Sequence, residues 1–328
     1  MSTSHPLVVV TPPDSELDLS GLEPYVAEAS ELVHSGEKGA ESTGRAYAGD
    51  WKRFTKWCKE NRQRPLPASS ATVAGFLVQL FREEKKPATI QRHKAAISRH
   101  HRAVNLEPPT DHPKLKALFK GILRKVGKRQ KQAEAFTVAE FKRVIRSIDA
   151  SRPGGLRARA LLLLGFAGAF RRQELSALDI EQLNFRAGEL IVTLLGSKTN
   201  QLGEHEEKAI FYSPDVDTCP LRTLQQWLAY LRAQGATQGP LFRSFHKGER
   251  LSARRLSADA INDIVQRHLG AKYSAHSLRA SFVTVAKLNG ADDAEVMNQT
   301  KHKSSEMIRR YTRVDSVAQY NAGKKLGL

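Results

Sequence analysis

Apolar side chains recur at helical spacing through the first third of the chain. Tyr47, Trp51, Phe54 and Cys58 fall at i, i+4, i+7 and i+11, so they share one face of a helix. That stripe reads as core rather than as a platform for stacking bases. The prolines of Arg64-Pro65-Leu66-Pro67 interrupt it. Ser69 or Ser70 then caps a second predicted helix with Val73, Phe76, Leu77, Leu80 and Phe81 inside. Pro87 opens a third, in which Ile90, Ile97 and Val104 repeat every seven residues toward the core. Arg92, Arg99 and Arg102 lie on its outer face and Lys94 on its flank, and Pro108 and Pro109 end it. A fourth, from Pro113, is expected to bury Leu115, Leu118, Phe119, Ile122 and Val126 while presenting Lys114, Lys116, Lys120, Arg124 and Lys125. The sum is a domain of four or five helices with basic outer faces.

The pattern changes after a polar, basic linker at 128–136. Thr137-Val138-Ala139-Glu140 is a capping-box signature ahead of Phe141, Val144 and Ile148. Leu156 to Phe170 is mostly apolar and predicts a buried central helix. Two short strand-like runs follow, Glu189 to Leu195 and Lys208 to Tyr212, separated by a polar turn from Gly196 to Glu207. Helices are expected again at about 218–234, 256–269, 277–289, 292–299 and 304–311. The fold class is therefore mainly α: an N-terminal helical domain at 38–127, then a mixed α/β domain at 137–328 with a small antiparallel sheet. Residues 1–37 read as a flexible acidic leader, and 316–328 as a tail helix of the second domain.

Charge narrows the partners. The 328 residues hold 52 Lys+Arg against 34 Asp+Glu, a formal net charge of +18. All seven acids of residues 1–37 stand there without a Lys or Arg, so the other 291 residues carry 52 basic against 27 acidic groups. Residues 85–131 alone hold 14 Lys/Arg against Glu107 and Asp111. Such a stretch can be an ordinary solvated face, but so dense a positive field repels itself without a counter-charge, which favours a phosphate-facing surface. No apolar run approaches the roughly 20 residues that span a bilayer, and no signal-peptide pattern opens the chain. A membrane is therefore not an expected partner. The two cysteines, Cys58 and Cys219, fit a reducing, cytoplasmic setting.

Common catalytic motifs are missing. Gly196-Ser197-Lys198-Thr199 lacks both glycines that a phosphate-binding loop requires, because Ser197 and Val192 stand in their places. No zinc-protease, paired Cys or dinucleotide-binding pattern occurs, so neither a metal nor a cofactor is implied. What is left is a dispersed set. Arg171 ends the apolar helix in A-F-R-R-Q-E-L, and Lys198 sits in the turn between the strands. His276 and Arg279 form H-S-L-R. His302 lies in Q-T-K-H, and Tyr311 follows nine residues later. Each has a plain explanation alone: a salt bridge to Glu174, a satisfied structural histidine, a packing tyrosine.

Together these motifs, in this order and spacing, resemble the tyrosine recombinases, also called the phage integrase family. The resemblance covers 137–320 and extends more loosely to the basic helices before it, which would be a core-type DNA-binding domain. It implies a reaction. Cutting a phosphodiester without a metal needs a nucleophile, charge neutralisation at the phosphate and a proton for the leaving 5′ oxygen. By resemblance, Tyr311 attacks to give a 3′-phosphotyrosine, Arg171 and Arg279 hold the non-bridging oxygens, and His302 adds a hydrogen bond. Lys198 protonates the leaving oxygen, His276 handles the tyrosine proton, and Glu174 supports the site. Tyr320 and Tyr273 are competing nucleophiles without the right offset from His302. Lys301 stands where the family commonly has Gly, and Ala280 where a second His is frequent.

The architecture resembles the simpler two-domain recombinases, which close a clamp around DNA. By resemblance, a homotetramer on two paired double-stranded sites exchanges strands through a Holliday junction, in a bacterial, phage or mobile-element setting near the nucleoid. Arg92, Lys94, Arg99, Arg102, Lys116, Lys120, Arg124 and Lys125 are the expected DNA contacts. Two other readings stay open: a type IB topoisomerase-like enzyme, and a sequence-specific DNA-binding protein with an inert centre, which Lys301 would favour.

Overall fold

The computed structural model describes residues 41–126, 134–194, 206–302 and 304–309, which fall into two compact units separated near residue 130. Among its described residues the first holds four α-helices, α1 (Glu41–Glu60), α2 (Ser70–Arg82), α3 (Pro87–Arg102) and α4 (Pro113–Val126). Ser69 caps α2 by accepting from Thr72 N at 3.0 Å, and Pro87 starts α3 because the first helical turn needs no donor there. The core is Phe54, Cys58, Val73, Phe76, Leu77, Leu80, Ile90 and Ile97, closed from α4 by Leu115 and Ile122. Burial of a side chain of this size is worth roughly 1.5–3 kcal/mol. Three expected core positions do not belong to it: Tyr47 lines a surface groove instead, and two valines stay exposed. Val104 is 49% exposed because α3 has already ended, and Val126 is 46% exposed as the last residue of α4. A one-sided seven-residue repeat overreaches where the helix stops short of it.

The second unit is built on α6. Its elements in order are α5 (Val138–Ser147), α6 (Pro153–Ala167), α7 (Arg172–Ala177), β1 (Leu183–Arg186), β2 (Glu189–Leu194), β3 (Glu206–Phe211) and α8 (Pro220–Ala233). There follow β4 (Arg243–Phe245), β5 (Leu251–Arg255), α9 (Ala258–Leu269), α10 (Ala275–Leu288), α11 (Asp293–Thr300) and α12 (Ser305–Arg309). The capping box is formed as expected: Glu140 N donates to Thr137 Oγ1 and Thr137 N to Glu140 Oε2. From Ala160 to Gly165 every residue of α6 is buried, as a helix apolar on all sides must be, and it packs against α8 and α10. Gly165 permits the close approach of α10, since a Cβ there would lie 2.8 Å from Leu278 Cδ1.

The sheet is antiparallel in the order β1-β2-β3, with Leu190 opposite Ile210 and Val192 opposite Lys208. A second, two-stranded hairpin, β4-β5, was not signalled by the sequence pattern, because both strands are short and rich in arginine. The fold is thus mainly α with a mixed α/β second unit. Val283, Val296 and Ile308 form a separate small core that seats α11 and α12 against α10. Among the described residues, no helix is long and apolar enough to cross a membrane. Lys198, Tyr311, Tyr320, the acidic leader, most of the linker and the tail lie outside the described residues.

Candidate active site

Three chain segments meet where α6, α10 and α11 end or begin. The first is the loop Gly168-Ala169-Phe170-Arg171. Arg171 caps α7, and Glu174, one turn later, accepts from Arg171 N at 2.9 Å and from its guanidinium Nη1. The R-R-Q-E sequence therefore fixes Arg171 through its backbone and its side chain at once. Arg172 turns away and pairs with Asp259 at 2.9 Å, so the plain alternative for Glu174, a bridge to Arg172, is not formed.

The second segment is the start of α10. His276 and Arg279 are three residues apart and share a helix face. Arg279 is 1% exposed, and its Nη1 donates to Ala169 O at 2.8 Å and its Nη2 to Thr300 O. His276 opens to the surface on one side. Partial burial, followed by the charges of Arg279 and Arg171, lowers its pKa.

The third segment is the end of α11, where Lys301 adopts the left-handed conformation (φ 54, ψ 44). The glycine-like turn forms with a lysine in it, at a cost of about 1 kcal/mol in backbone strain. The carbonyl it exposes accepts from Arg171 Nη2 at 3.2 Å. His302, buried, sits 2.9 Å through Nδ1 from Thr300 Oγ1, which itself donates to Val296 O at 2.6 Å. One hydroxyl proton serves one acceptor at a time. While it goes to Val296, Nδ1 must carry the imidazole proton, and if it turns to Nδ1, Nε2 becomes the donor. Burial first, then the charges of Arg279, Arg171, Lys208 and His276, holds His302 down at about 3, so it is neutral near pH 7.

The structure therefore brings Arg171, Glu174, His276, Arg279 and His302 into one pocket, in which both histidines feel both guanidiniums. It also brings in Lys208 of β3, which the sequence pattern marks only as the start of a strand. Its ammonium donates to Gly168 O, Ala169 O and Gln299 O and lies 3.7 Å from Glu174 Oε2. A signal was present: the two-residue period of β3 puts Lys208 on the same face as buried Ile210. Tyr273 is buried against Phe136 as a packing residue.

In the first unit, Tyr47, Gln91, Lys94, Ser98, Arg99 and Arg102 line a groove of about 650 Å³. Arg99 stands over the Tyr47 ring. Arg92 is committed to Asp50 by two bonds of 2.7 and 3.0 Å, and Arg102 pairs with Asp111 at the surface. Lys116, Lys120, Arg124 and Lys125 are exposed on α4.

A cluster of two arginines and two histidines, with Arg279 and His302 buried and His276 at its open edge, on a mainly helical unit with a small sheet defines a class. Residues 134–317 match the phage integrase family, and the chain belongs to that family of tyrosine site-specific recombinases. It is 32% identical over 292 residues to an integrase/recombinase XerD homolog of Selenomonas ruminantium, covering 86% of this chain and 84% of that one. It is 25% identical over 285 residues to tyrosine recombinase XerD of Lacticaseibacillus casei, covering 84% and 89%. The fold is shared with the Tn1549 transposon integrase in complex with transposon right end DNA (TM-score 0.57, 14% identity, 90% and 96% covered). It is shared too with a lambda integrase dimer bound to a COC' core site (TM-score 0.57, 16% identity, 88% and 94% covered).

Proposed function

We propose that this chain cuts and rejoins double-stranded DNA at specific sites through a 3′-phosphotyrosine. The carrying observation is the convergence of Arg171, Arg279 and His302 on one buried pocket whose cations are oriented by backbone carbonyls and Glu174. Such fixed charges need no reorganisation when negative charge builds on a phosphate in the transition state. The two guanidiniums would hold the non-bridging oxygens. His302 would donate through Nε2 once the Thr300 hydroxyl turns to Nδ1. His276, at the open edge with its pKa lowered, would take the Tyr311 proton as the phenolic oxygen attacks phosphorus. The P–O5′ bond breaks as the P–O(Tyr) bond forms, and Lys198 would give the leaving 5′ oxygen its proton. Attack by a 5′-hydroxyl reverses the sequence, so the bond energy is conserved and neither ATP nor a metal enters.

The groove beside Lys94 and Arg99, with the lysines of α4, would carry the phosphates of the duplex. Arg92 would act there only as a partner to Asp50. A tetramer on two paired sites would exchange strands in two pairs. The relatives bound to transposon-end and core-site DNA support a DNA partner. Lys301 in the glycine-like turn supports an active centre over an inert one.

The test is a nicked suicide substrate carrying a target site. The wild type is expected to leave a covalent adduct that survives denaturation and is insensitive to chelator, and Tyr311→Phe to bind the same DNA with no adduct. An adduct mapped to Tyr320, or one abolished by chelator, would overturn the assignment.

A further inference from the structure

In Glu206-Glu207-Lys208-Ala209-Ile210-Phe211, alternation turns Lys208 inward, and it is 1% exposed. A buried ammonium needs acceptors, and it finds them on two separate stretches of backbone. Gly168 O at 2.9 Å and Ala169 O at 3.3 Å belong to the loop that ends in Arg171. Gln299 O at 3.1 Å belongs to the end of α11, three residues before His302. The Phe170 ring lies beneath the ammonium at 4.9 Å.

The same two stretches grip the guanidiniums. Ala169 O is shared between Lys208 and Arg279, and the carbonyls of Thr300 and Lys301 receive Arg279 and Arg171. Ala169 sits at φ 47, a conformation that a residue with a Cβ keeps only when its surroundings hold it there. The Gln299 side chain adds to the seam by donating to Ala167 O at 3.1 Å and Ala209 O at 2.8 Å, so β3 is fastened to both turns.

We propose that Lys208 is a positioning residue for strand cleavage: it fixes the two backbone turns from which Arg171, Arg279 and His302 meet the scissile phosphate. The proposal rests on the recombinase reading. Lys208 is enclosed by protein, so it acts through those residues rather than on DNA. Burial lowers its pKa to about 7 against the opposing pull of Glu174, and the amine keeps N–H donors for these carbonyls in either protonation state.

The test replaces the ammonium with a thioether of similar length, Lys208→Met, beside Lys208→Arg. A displacement of about 1 Å at a catalytic group costs on the order of 100-fold, so single-turnover cleavage at saturating DNA should fall by about that factor in Lys208→Met. Its affinity for site DNA should stay within about 3-fold. Its thermal stability should change little, because removing a buried charge relieves desolvation while stranding three carbonyls. Lys208→Arg, which keeps a cationic donor facing the same carbonyls, should recover part of the rate. A substrate with a bridging 5′ sulfur, whose leaving group needs no proton, should not rescue Lys208→Met.

Cleavage by Lys208→Met at the wild-type rate overturns the proposal. So does a loss of rate that merely follows loss of folded protein, or full rescue by the sulfur substrate. If Lys208→Met does not fold, Lys208→Gln carries the same comparison. A wild-type protein that forms no adduct at all sinks the recombinase reading instead, so the two failures are distinct.

Discussion

Replacing Glu174 with glutamine removes one charge from the most densely ionised part of the protein, and its cost should depend on pH. Glu174 is 8% exposed, and its Oε2 lies 3.7 Å from the Lys208 ammonium. At an effective dielectric near 20, unit charges at that distance attract by about 4 kcal/mol, equivalent to about 3 on the lysine's pKa. Lys208 sits at about 7 with Glu174 present, and without the carboxylate it would fall further. Near pH 7.5 the amine simply releases its proton, and the pair contributes only a few tenths of a kcal/mol. What is lost there is the charge-assisted grip on Arg171, about 1–2 kcal/mol. At pH 5 Lys208 is protonated in the wild type and held by the Glu174 charge, whereas in the variant a buried ammonium has no carboxylate to offset its burial. Glu174→Gln should therefore cost about 1–2 kcal/mol at pH 7.5 and on the order of twice that at pH 5. Urea unfolding at the two pH values measures both figures. In a Trp51→Phe/Trp57→Phe background, Trp227, buried in the catalytic unit, is the reporter. A difference that does not change with pH would show that the carboxylate is not holding Lys208.

Two further outcomes follow from the same pocket. Lys301→Gly relieves about 1 kcal/mol of left-handed strain against a smaller entropy cost of a freer unfolded chain, so its melting temperature should rise by about 2 °C; a fall in a thermal melt refutes the strain account. His302 has a folded pKa of about 3, below the ordinary 6.5, so the unfolded state binds its proton first. Its stabilising share is present above pH 6.5 and is lost on acidification, by about 2 kcal/mol at pH 5. His302→Asn should flatten that slope in denaturant titrations from pH 7.5 to 5, and an unchanged slope would contradict it.

Much of this was legible in the chain, because local rules and tertiary outcome coincide. The Thr137/Glu140 box, the Ser69 cap, Pro87 and the all-apolar run of α6 each specify an element by themselves. Arg171, His276, Arg279 and His302 were readable through motif spacing, although they gather only once α6, α10 and α11 pack. The misses share a physical cause. β1 and the β4-β5 hairpin are too short and too exposed for alternation to stand out. Val104 followed a periodicity that outran its helix, and Val126 falls on the last, exposed residue of α4. Lys208 was hidden by its own chemistry, since a lysine in a strand is read as solvated unless its acceptors, supplied by segments 40 and 91 residues away, are known.

The two unusual turns at Ala169 and Lys301 have one more consequence. Their carbonyls are bound by Arg279, Lys208 and Arg171, so the side chains that would greet the DNA are also the fasteners of the loops that aim them. Such a pocket is not dismantled piecemeal. Unfastening one cation frees a turn to spring back toward commoner dihedrals and carries its neighbours with it, so double substitutions here should do scarcely more harm than single ones.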